Sequence, residues 1–151
     1  MFRVLLPIDE SESRAREQAE RIAELPDAAN AVTVDVVHVH GASGPEAPTS
    51  PSGSFDPNSA AVQEDVTDLE SLPDSIETAT DLLDAEGVEY AVHEARGDPA
   101  EVIVSLAEKY ESDRIVIGAR SQSPVGKVLF GSVAQAVILD SDRPVTTVVV
   151  S

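Results

Sequence analysis

The chain has 151 residues, no cysteine and a formal net charge of −18, with 28 acidic residues against 10 lysines and arginines. This length predicts a single domain over 1–151 with enough chain for a proper core. The missing cysteines exclude disulfides, thiolate catalysis and cysteine-ligated metals. The acidic balance argues against nucleic acid and anionic membranes as partners, because both bind proteins through cationic side chains.

The acidic residues are spread along the whole chain and are not collected in a tail. This distribution favours adaptation to concentrated salt, where a Debye length of roughly 3 Å at 1 M screens self-repulsion. We therefore expect a halophilic archaeal source. No apolar run is long enough to span a bilayer, and the first residues lead into a strand-like segment, so we expect a cytoplasmic protein.

Apolar, β-branched runs alternate with amphipathic segments along the sequence. The helix signals include a cap at Ser11 or Ser13, Asp98 before Pro99, and Gly87 after the third amphipathic segment. A stretch rich in Gly, Pro, Ser and Asn predicts a mobile loop over 41–59. The predicted strands are 3–8, 31–40, 88–95, 114–118 and 144–150, and the predicted helices are 11–25, 60–72, 74–86, 98–110 and 132–139.

This alternation predicts an α/β fold, an open five-stranded parallel sheet of Rossmann-like type with helices on both faces, in the order β-α-β-α-β-α-β-α-β. Ligands of such sheets bind outside the carboxyl ends of the strands, at the switch point of the strand order. We expect three segments at that edge: 7–9 after the first strand, 39–40 after the second, and the loop 118–132 after the fourth.

The 118–132 loop links a strand to a helix N-terminus, an arrangement that can bind an anion through backbone amides alone. It is not a Walker A motif, because Ser121 and Val128 stand where that motif needs glycine and Ser or Thr. Simpler interpretations are open: Gly118 and Gly131 as turn and cap glycines, and Asp9 as a helix N-cap. The scarce cations Arg120 and Lys127 are either solvated loop charges or phosphate contacts.

Other polar residues give weaker indications. His38 and His40 alternate on one strand face, as two metal ligands could, but with no third ligand apparent we interpret them as core and rim residues. His93 is interpreted as an ordinary strand residue. No nucleophile–base pair and no dinucleotide fingerprint is present, so we expect no enzyme and at most slow, incidental hydrolysis of a bound ligand.

The spacing Gly118-x2-Ser121-x9-Gly131-Ser132 resembles the nucleotide-binding signature of the universal stress protein family, Gly-x2-Gly-x9-Gly-(Ser/Thr). The segments 4–12, 36–39, 97–103 and 142–145 resemble further parts of the same family, so the resemblance spans essentially the whole chain. It implies the adenine-nucleotide alpha-hydrolase-like variant of the predicted fold. The departure is Ser121, which stands where the signature has glycine.

The family has members that bind ATP and members that do not. For a binding member the resemblance implies ATP, with Mg²⁺, as the ligand. Gly126 and Lys127 would compensate for Ser121 by adding a flexible residue and a cation to the loop. The implied roles are contacts to ribose and adenine from Pro7, Ile8 and Asp9, packing on adenine by Val39, a phosphate path along Gly118, Arg120 and Ser121, and phosphate donors at Gly131, Ser132 and Val133.

The last predicted strand, 145–150, is expected at the edge of the sheet. Pairing with its own copy across a two-fold axis would cover that edge, and the resemblance implies homodimers of this kind. Two hypotheses for function follow. The first is a universal stress protein that acts as an ATP-binding regulator in the stress response. The second is a nucleotide-free dimeric module that acts through protein contacts, with Ser121 marking loss of the site.

Overall fold

A computed structural model describes residues 1–41, 62–66, 72–122, 128–129 and 131–149. Most of the predicted 41–59 loop lies outside these residues. None of the described helices combines the length and apolarity needed to cross a membrane. The elements are β1 (Phe2–Pro7), α1 (Glu12–Ala23), α2 (Ala28–Ala31), β2 (Val32–Gly41), β3 (Val62–Gln63), α3 (Asp74–Ala85), β4 (Glu89–Gly97), α4 (Pro99–Lys109), β5 (Arg114–Gln122), β6 (Val128–Leu129), α5 (Ser132–Asp140) and β7 (Val145–Val149).

The five long strands form a parallel sheet in the spatial order β4-β2-β1-β5-β7. This confirms the predicted α/β fold and its five parallel strands. Two two-residue strands are added to it, β3 antiparallel to β4 and β6 antiparallel to β5. The strand order reverses direction between β1 and β5, so the switch point lies between the ends of these two strands.

Alternating side chains of the strands enter two separate hydrophobic cores. On one face, Val4 and Leu6 of β1 pack with the buried residues of α1 and α3. On the other face, Leu5 of β1 packs with the buried residues of α4 and α5. The period of two therefore directs side chains of each long strand into both cores, which explains the uninterrupted apolar run Val4, Leu5 and Leu6 in β1.

Local capping follows the sequence signals. Ser11 is the N-cap of α1, where its side chain accepts a hydrogen bond from the amide of Arg14, and Asp98 caps α4 in the same way through the amide of Glu101. Gly87 follows α3 with φ at 71°, a left-handed conformation that glycine adopts without strain.

Two predictions of secondary structure were wrong. The helix predicted over 60–72 is contradicted at 62–66, because Val62 and Gln63 pair with the edge of β4 and the amide of Val66 donates to the carbonyl of Val92. The strand predicted to end at Gly118 continues to Gln122, since β7 pairs with it up to Ala119 and β6 pairs with its last residues. In both cases a neighbouring strand edge overrides local propensity.

Candidate functional site

A cavity of about 290 Å³ opens at the carboxyl end of the parallel sheet, at the switch point between β1 and β5. The segment after β1, the last residues of β2, the middle of β5 and the N-terminal turns of α1, α4 and α5 contribute its walls. Its lining is Pro7, Ile8, Asp9, Glu10, Arg14, Gln18, Val37, His38, Val39, Pro99, Ile103, Ile117, Gly118, Gly131, Ser132, Val133 and Ala134.

The structure brings most of the residues proposed from the sequence into this one cavity. They are Pro7, Ile8, Asp9, Val39, Gly118, Gly131, Ser132 and Val133. Arg120 and Ser121 belong to the last part of β5, beyond Gly118, and are not in the loop where the sequence placed them. Gly126 and Lys127 lie outside the described residues. Roles in binding remain predictions for all of these positions.

Asp9 is fixed at the mouth of the cavity by three donors. Its Oδ1 accepts the amide of Ser11 at 2.9 Å, and its Oδ2 accepts Nε of Arg14 at 2.9 Å and a terminal nitrogen of the same guanidinium at 2.7 Å. The interpretation of Asp9 as the N-cap of α1 was wrong, since Ser11 holds that position. The carboxylate instead orders the turn between β1 and α1.

The N-terminus of α5 differs from those of the other two helices at the cavity. Ser11 and Asp98 cap α1 and α4 with their side chains, whereas the N-cap of α5 is Gly131, which has no side chain to accept a hydrogen bond from a helix amide. The first intrahelical bond runs from the amide of Gln135 to the carbonyl of Gly131. The amides of the first turn therefore lack intrahelical acceptors, and the positive end of the helix dipole lies at the cavity.

Gly118 serves the packing of α1 against β5. A Cβ built on it would lie 3.0 Å from Oε1 of Gln18 and 3.1 Å from Cδ of Arg14. Gln18 cannot retreat, because its buried amide nitrogen donates to the carbonyls of Pro7 and Val116 at 2.8 and 3.1 Å. Glycine at this position therefore allows the side chains of Gln18 and Arg14 to approach β5 closely. It is not needed for the backbone conformation, because its φ is not in the left-handed region.

The two histidines on β2 are accounted for by hydrogen bonds. Nδ1 of the buried His38 donates to the carbonyl of Ile8 at 2.9 Å, and Nε2 of His40 lies 3.0 Å from a carboxylate oxygen of Glu94. Their rings meet edge to face, with centroids 4.8 Å apart. His38 therefore fixes the backbone of the segment after β1, which forms part of the cavity wall.

Sequence reasoning missed Arg14 and Gln18 as lining residues. Gln18 lies between Ala15 and Ala19 on the buried face of α1, and Arg14 precedes it by one turn. A polar side chain on the apolar stripe of an amphipathic helix was a signal available in the sequence, because such a group is buried only with a partner.

A second polar cluster lies in the sheet beneath α4, away from the cavity. Asp35 is buried and accepts Nε of Arg3 at 2.7 Å, and its other oxygen lies 3.0 Å from Nε2 of His93. Nδ1 of His93 accepts the amide of Asp65 at 3.2 Å. Burial alone would raise the pKa of Asp35, but the hydrogen bonds from His93 and Arg3 outweigh it and lower that pKa. His93 lies in β4, as expected of a strand residue, but its contact with Asp35 was not predicted.

A doubly wound sheet with a cavity at its switch point, walled by three helix N-termini, defines an α/β protein with a small-molecule type of pocket. A match to a family model assigns the chain to a particular family within this class. The model of the universal stress protein family matches residues 1–149, and the chain belongs to that family.

Individual relatives support the same assignment. A universal stress protein of Mycolicibacterium smegmatis is 36 % identical over 67 residues, which is 44 % of this chain and 52 % of that protein. The chain thus matches about half the length of this curated relative. A universal stress protein structure from Archaeoglobus fulgidus aligns over 98 % of both chains with 26 % identity and a TM-score of 0.69.

Two structures with the same fold carry nucleotides. One is a universal stress protein in complex with cAMP, 21 % identical, with a TM-score of 0.63 over 99 % of this chain and 98 % of the other. The second is a universal stress protein family protein of Arabidopsis thaliana with AMP bound, 14 % identical, with a TM-score of 0.62 over 100 % of this chain and 93 % of the other. At these identities the likeness concerns the fold.

Proposed function

We propose that this chain binds an adenine nucleotide in the switch-point cavity and acts as a nucleotide-responsive regulator in the stress response. The observation that carries the proposal is the N-terminus of α5 at one wall of that cavity, where no side-chain cap is made by the N-cap residue Gly131. Free amides and a positive dipole end stabilise a phosphate, and α1 and α4 have already used side-chain caps at their own ends. The cAMP and AMP complexes of relatives support the choice of base.

The cavity has an apolar part suited to an aromatic base. Val37, Val39 and Ile117 line it from the strands, and Ile103 lines it from α4. In the proposed complex the adenine packs on these side chains, and the phosphates extend towards Gly131 and Ser132. ATP is the proposed ligand. Mg²⁺ would enter with the phosphates, because no group of three His, Asp or Glu side chains converges within the part of the chain that the structure describes.

We propose occupancy, and not turnover, as the function of the site. Both oxygens of Asp9 already accept hydrogen bonds from Ser11 and Arg14, so this carboxylate is poorly placed to take a proton from an attacking water. A phosphate-release assay with saturating ATP tests this point. Release at rates of about 1 per second or more, in the ordinary range of enzymes, would assign the chain to the hydrolases instead.

Calorimetric titration with ATP and Mg²⁺ in molar KCl tests the binding proposal. The expected result is saturable binding that is lost in Gly131→Val, because the added side chain enters the anion site. The backbone at this position has φ −68° and ψ 166°, which any residue adopts, so the variant should fold. Absence of binding by the wild-type chain at millimolar ATP would leave the nucleotide-free module as the better description.

We also propose a homodimer formed through β7. Within the described part of the chain, β7 pairs on one side only, with β5, which leaves its other edge for a second copy. The amide of Ile115 donates to the carbonyl of Pro144. Alternation along a parallel ladder then directs the amides of Thr146 and Val148 towards β5, and that of Thr147 outwards.

This geometry gives a selective test of the dimer. Thr147→Pro removes an outward amide and leaves the ladder to β5 intact, as proline is tolerated on strand edges. Light scattering in molar KCl should find a dimer for the wild-type chain and a monomer for this variant. A wild-type monomer, or a variant that dimerises equally well, contradicts the assignment of β7 as the interface.

We propose that the acidic surface is an adaptation of a halophilic protein. With a net charge of −18 the folded state is destabilised by self-repulsion at low ionic strength, and salt screens that repulsion. Urea unfolding in 0.1 M and in 3 M KCl (roughly fivefold apart in Debye length) should give the higher midpoint at high salt. Equal midpoints would remove salt adaptation as the reason for the charge.

A further inference from the structure

Arg14 is the one cation among the described residues that line the cavity. The carboxylates of Asp9 and Glu10 line the same cavity, and the whole chain has 10 lysines and arginines against 28 acids. Among the described lining residues, an anionic ligand that entered without Arg14 would therefore meet only carboxylates as charged side chains. The N-terminus of α5 provides partial charge only, equivalent to about half an elementary charge.

The side chain of Arg14 runs from the middle of β5 to the segment after β1. Its backbone is fixed by the cap of α1, where its amide donates to Oγ of Ser11. Its Cδ lies 3.1 Å from the point where a Cβ on Gly118 would be, so the stem rests on the bare backbone of β5. Its guanidinium reaches Asp9 after β1. This path places the charge between Gly118 and Asp9, within the cavity.

The contact with Asp9 engages part of the guanidinium. Nε and one terminal nitrogen both meet the single oxygen Oδ2. An arginine has five N–H donors in a planar fork, so the group can keep this contact and donate to a phosphate as well. The side chain is 31 % exposed, so a ligand can reach it.

We propose that Arg14 binds the phosphate groups of the nucleotide and sets the preference of the cavity for nucleoside phosphates over nucleosides. This inference rests on the proposed function. It adds a residue outside the 118–132 loop to the phosphate site. It also explains why residue 118 is a glycine, because a side chain there would displace the arginine stem from β5 and move its charge away from the ligand.

The test compares ATP with adenosine in titrations of the wild type, Arg14→Met and Arg14→Lys. Methionine keeps a long apolar stem on Gly118 and removes the charge. We expect Arg14→Met to lower ATP affinity roughly tenfold or more and adenosine affinity less than about threefold, because a charge-assisted hydrogen bond is lost for the phosphates only. Arg14→Lys, which keeps the charge without the fork, should fall between the two for ATP.

Arg16→Met is the matched control. Arg16 lies two residues further along α1 and is exposed to solvent, so the same change in net charge should leave both affinities within about twofold of wild type. Equal losses for ATP and adenosine in Arg14→Met would show that Arg14 only shapes the cavity and would overturn the inference, as would no loss for either ligand. A wild-type chain that binds neither ligand contradicts the proposed function itself, and the two failures are thus distinguishable.

Discussion

Two aspartate–arginine pairs in this molecule have similar geometry and opposite surroundings. Asp9 with Arg14 and Asp35 with Arg3 both place a guanidinium nitrogen 2.7 Å from a carboxylate oxygen. The Asp9 side chain is 53 % exposed at the mouth of the cavity, and that of Asp35 is 3 % exposed inside the sheet. Asp35 has a further partner in His93.

The difference indicates what each pair contributes. A buried carboxylate without partners is strongly unfavourable, so the contacts of Asp35 are needed for the fold. An exposed pair contributes at most about 1 kcal/mol, so the contact between Asp9 and Arg14 can be rearranged at little cost in stability. A rearrangeable pair beside a cavity is suited to ligand binding, and a buried one is suited to fixing strands.

The largest expected effect comes from substituting each aspartate in turn. Asp35→Asn should lower the free energy of unfolding by about 3 kcal/mol, because an amide nitrogen, itself a donor, replaces a buried oxygen that accepts a hydrogen bond from Arg3 or His93. Asp9→Asn should lower it by less than about 1 kcal/mol. Urea denaturation in molar KCl measures both. Equal losses in the two variants would mean that burial does not separate the pairs.

A substitution at Gly118 should have the next largest effect on the free energy of unfolding. Of the two pairs, it should affect only that of Asp9 with Arg14, which lies at the cavity. Gly118→Val places a side chain against Gln18 and Arg14, and overpacking of this kind costs about 1–3 kcal/mol. ATP affinity should fall with it, because the arginine stem loses its place on β5. Calorimetry and urea denaturation measure the two effects.

The double variant Gly118→Val with Gln18→Ala provides the control for this substitution. Removing the glutamine side chain makes space for the valine, so the two changes should not be additive in the free energy of unfolding. Additive losses would show that the destabilisation of Gly118→Val arises elsewhere than at its contact with α1.

The pH dependence of stability should reveal the contribution of the buried Asp35. The pKa of Asp35 is lowered in the folded chain, so its contribution to stability is fully present above the ordinary carboxyl pKa of about 3.9. That contribution is lost as the pH falls through the lowered value. Stability should therefore decline less between pH 5 and pH 2 in Asp35→Asn than in the wild type. Parallel curves would contradict this assignment.

The fold was predictable because apolar, β-branched residues mark the long strands, and the caps at Ser11, Asp98 and Gly87 delimit three helices. The predictions that failed depend on partners distant in the sequence. β3 exists because β4 has an edge to pair with, and β5 extends past Gly118 because β6 pairs with its last residues. Local patterns contain no information about such pairings.

The candidate site was also predictable only where its features have local signals in the sequence. Its backbone elements were predictable, because a glycine, a helix start and the end of a strand each have local signals. The contacts among Arg14, Gln18 and Gly118 were not, since they depend on how closely α1 approaches β5. For the same reason the buried partnership of Asp35 with His93 was missed, as the two residues meet only across adjacent strands.

The smallest expected effect is the change in stability on substituting Arg14, and it completes the comparison of the two pairs. Arg14→Met should lower the free energy of unfolding by less than about 1 kcal/mol, since it breaks a partly exposed pair and keeps the packing of the stem on Gly118. Arg3→Met should cost several times more, because Asp35 remains buried without the two hydrogen bonds that Arg3 donates to it. Urea denaturation in molar KCl gives both values.

A small loss for Arg14→Met, alongside a large loss of ATP affinity in the same variant, would assign this arginine to ligand binding and not to the fold. A loss as large as that of Arg3→Met would instead make the cavity pair a structural one.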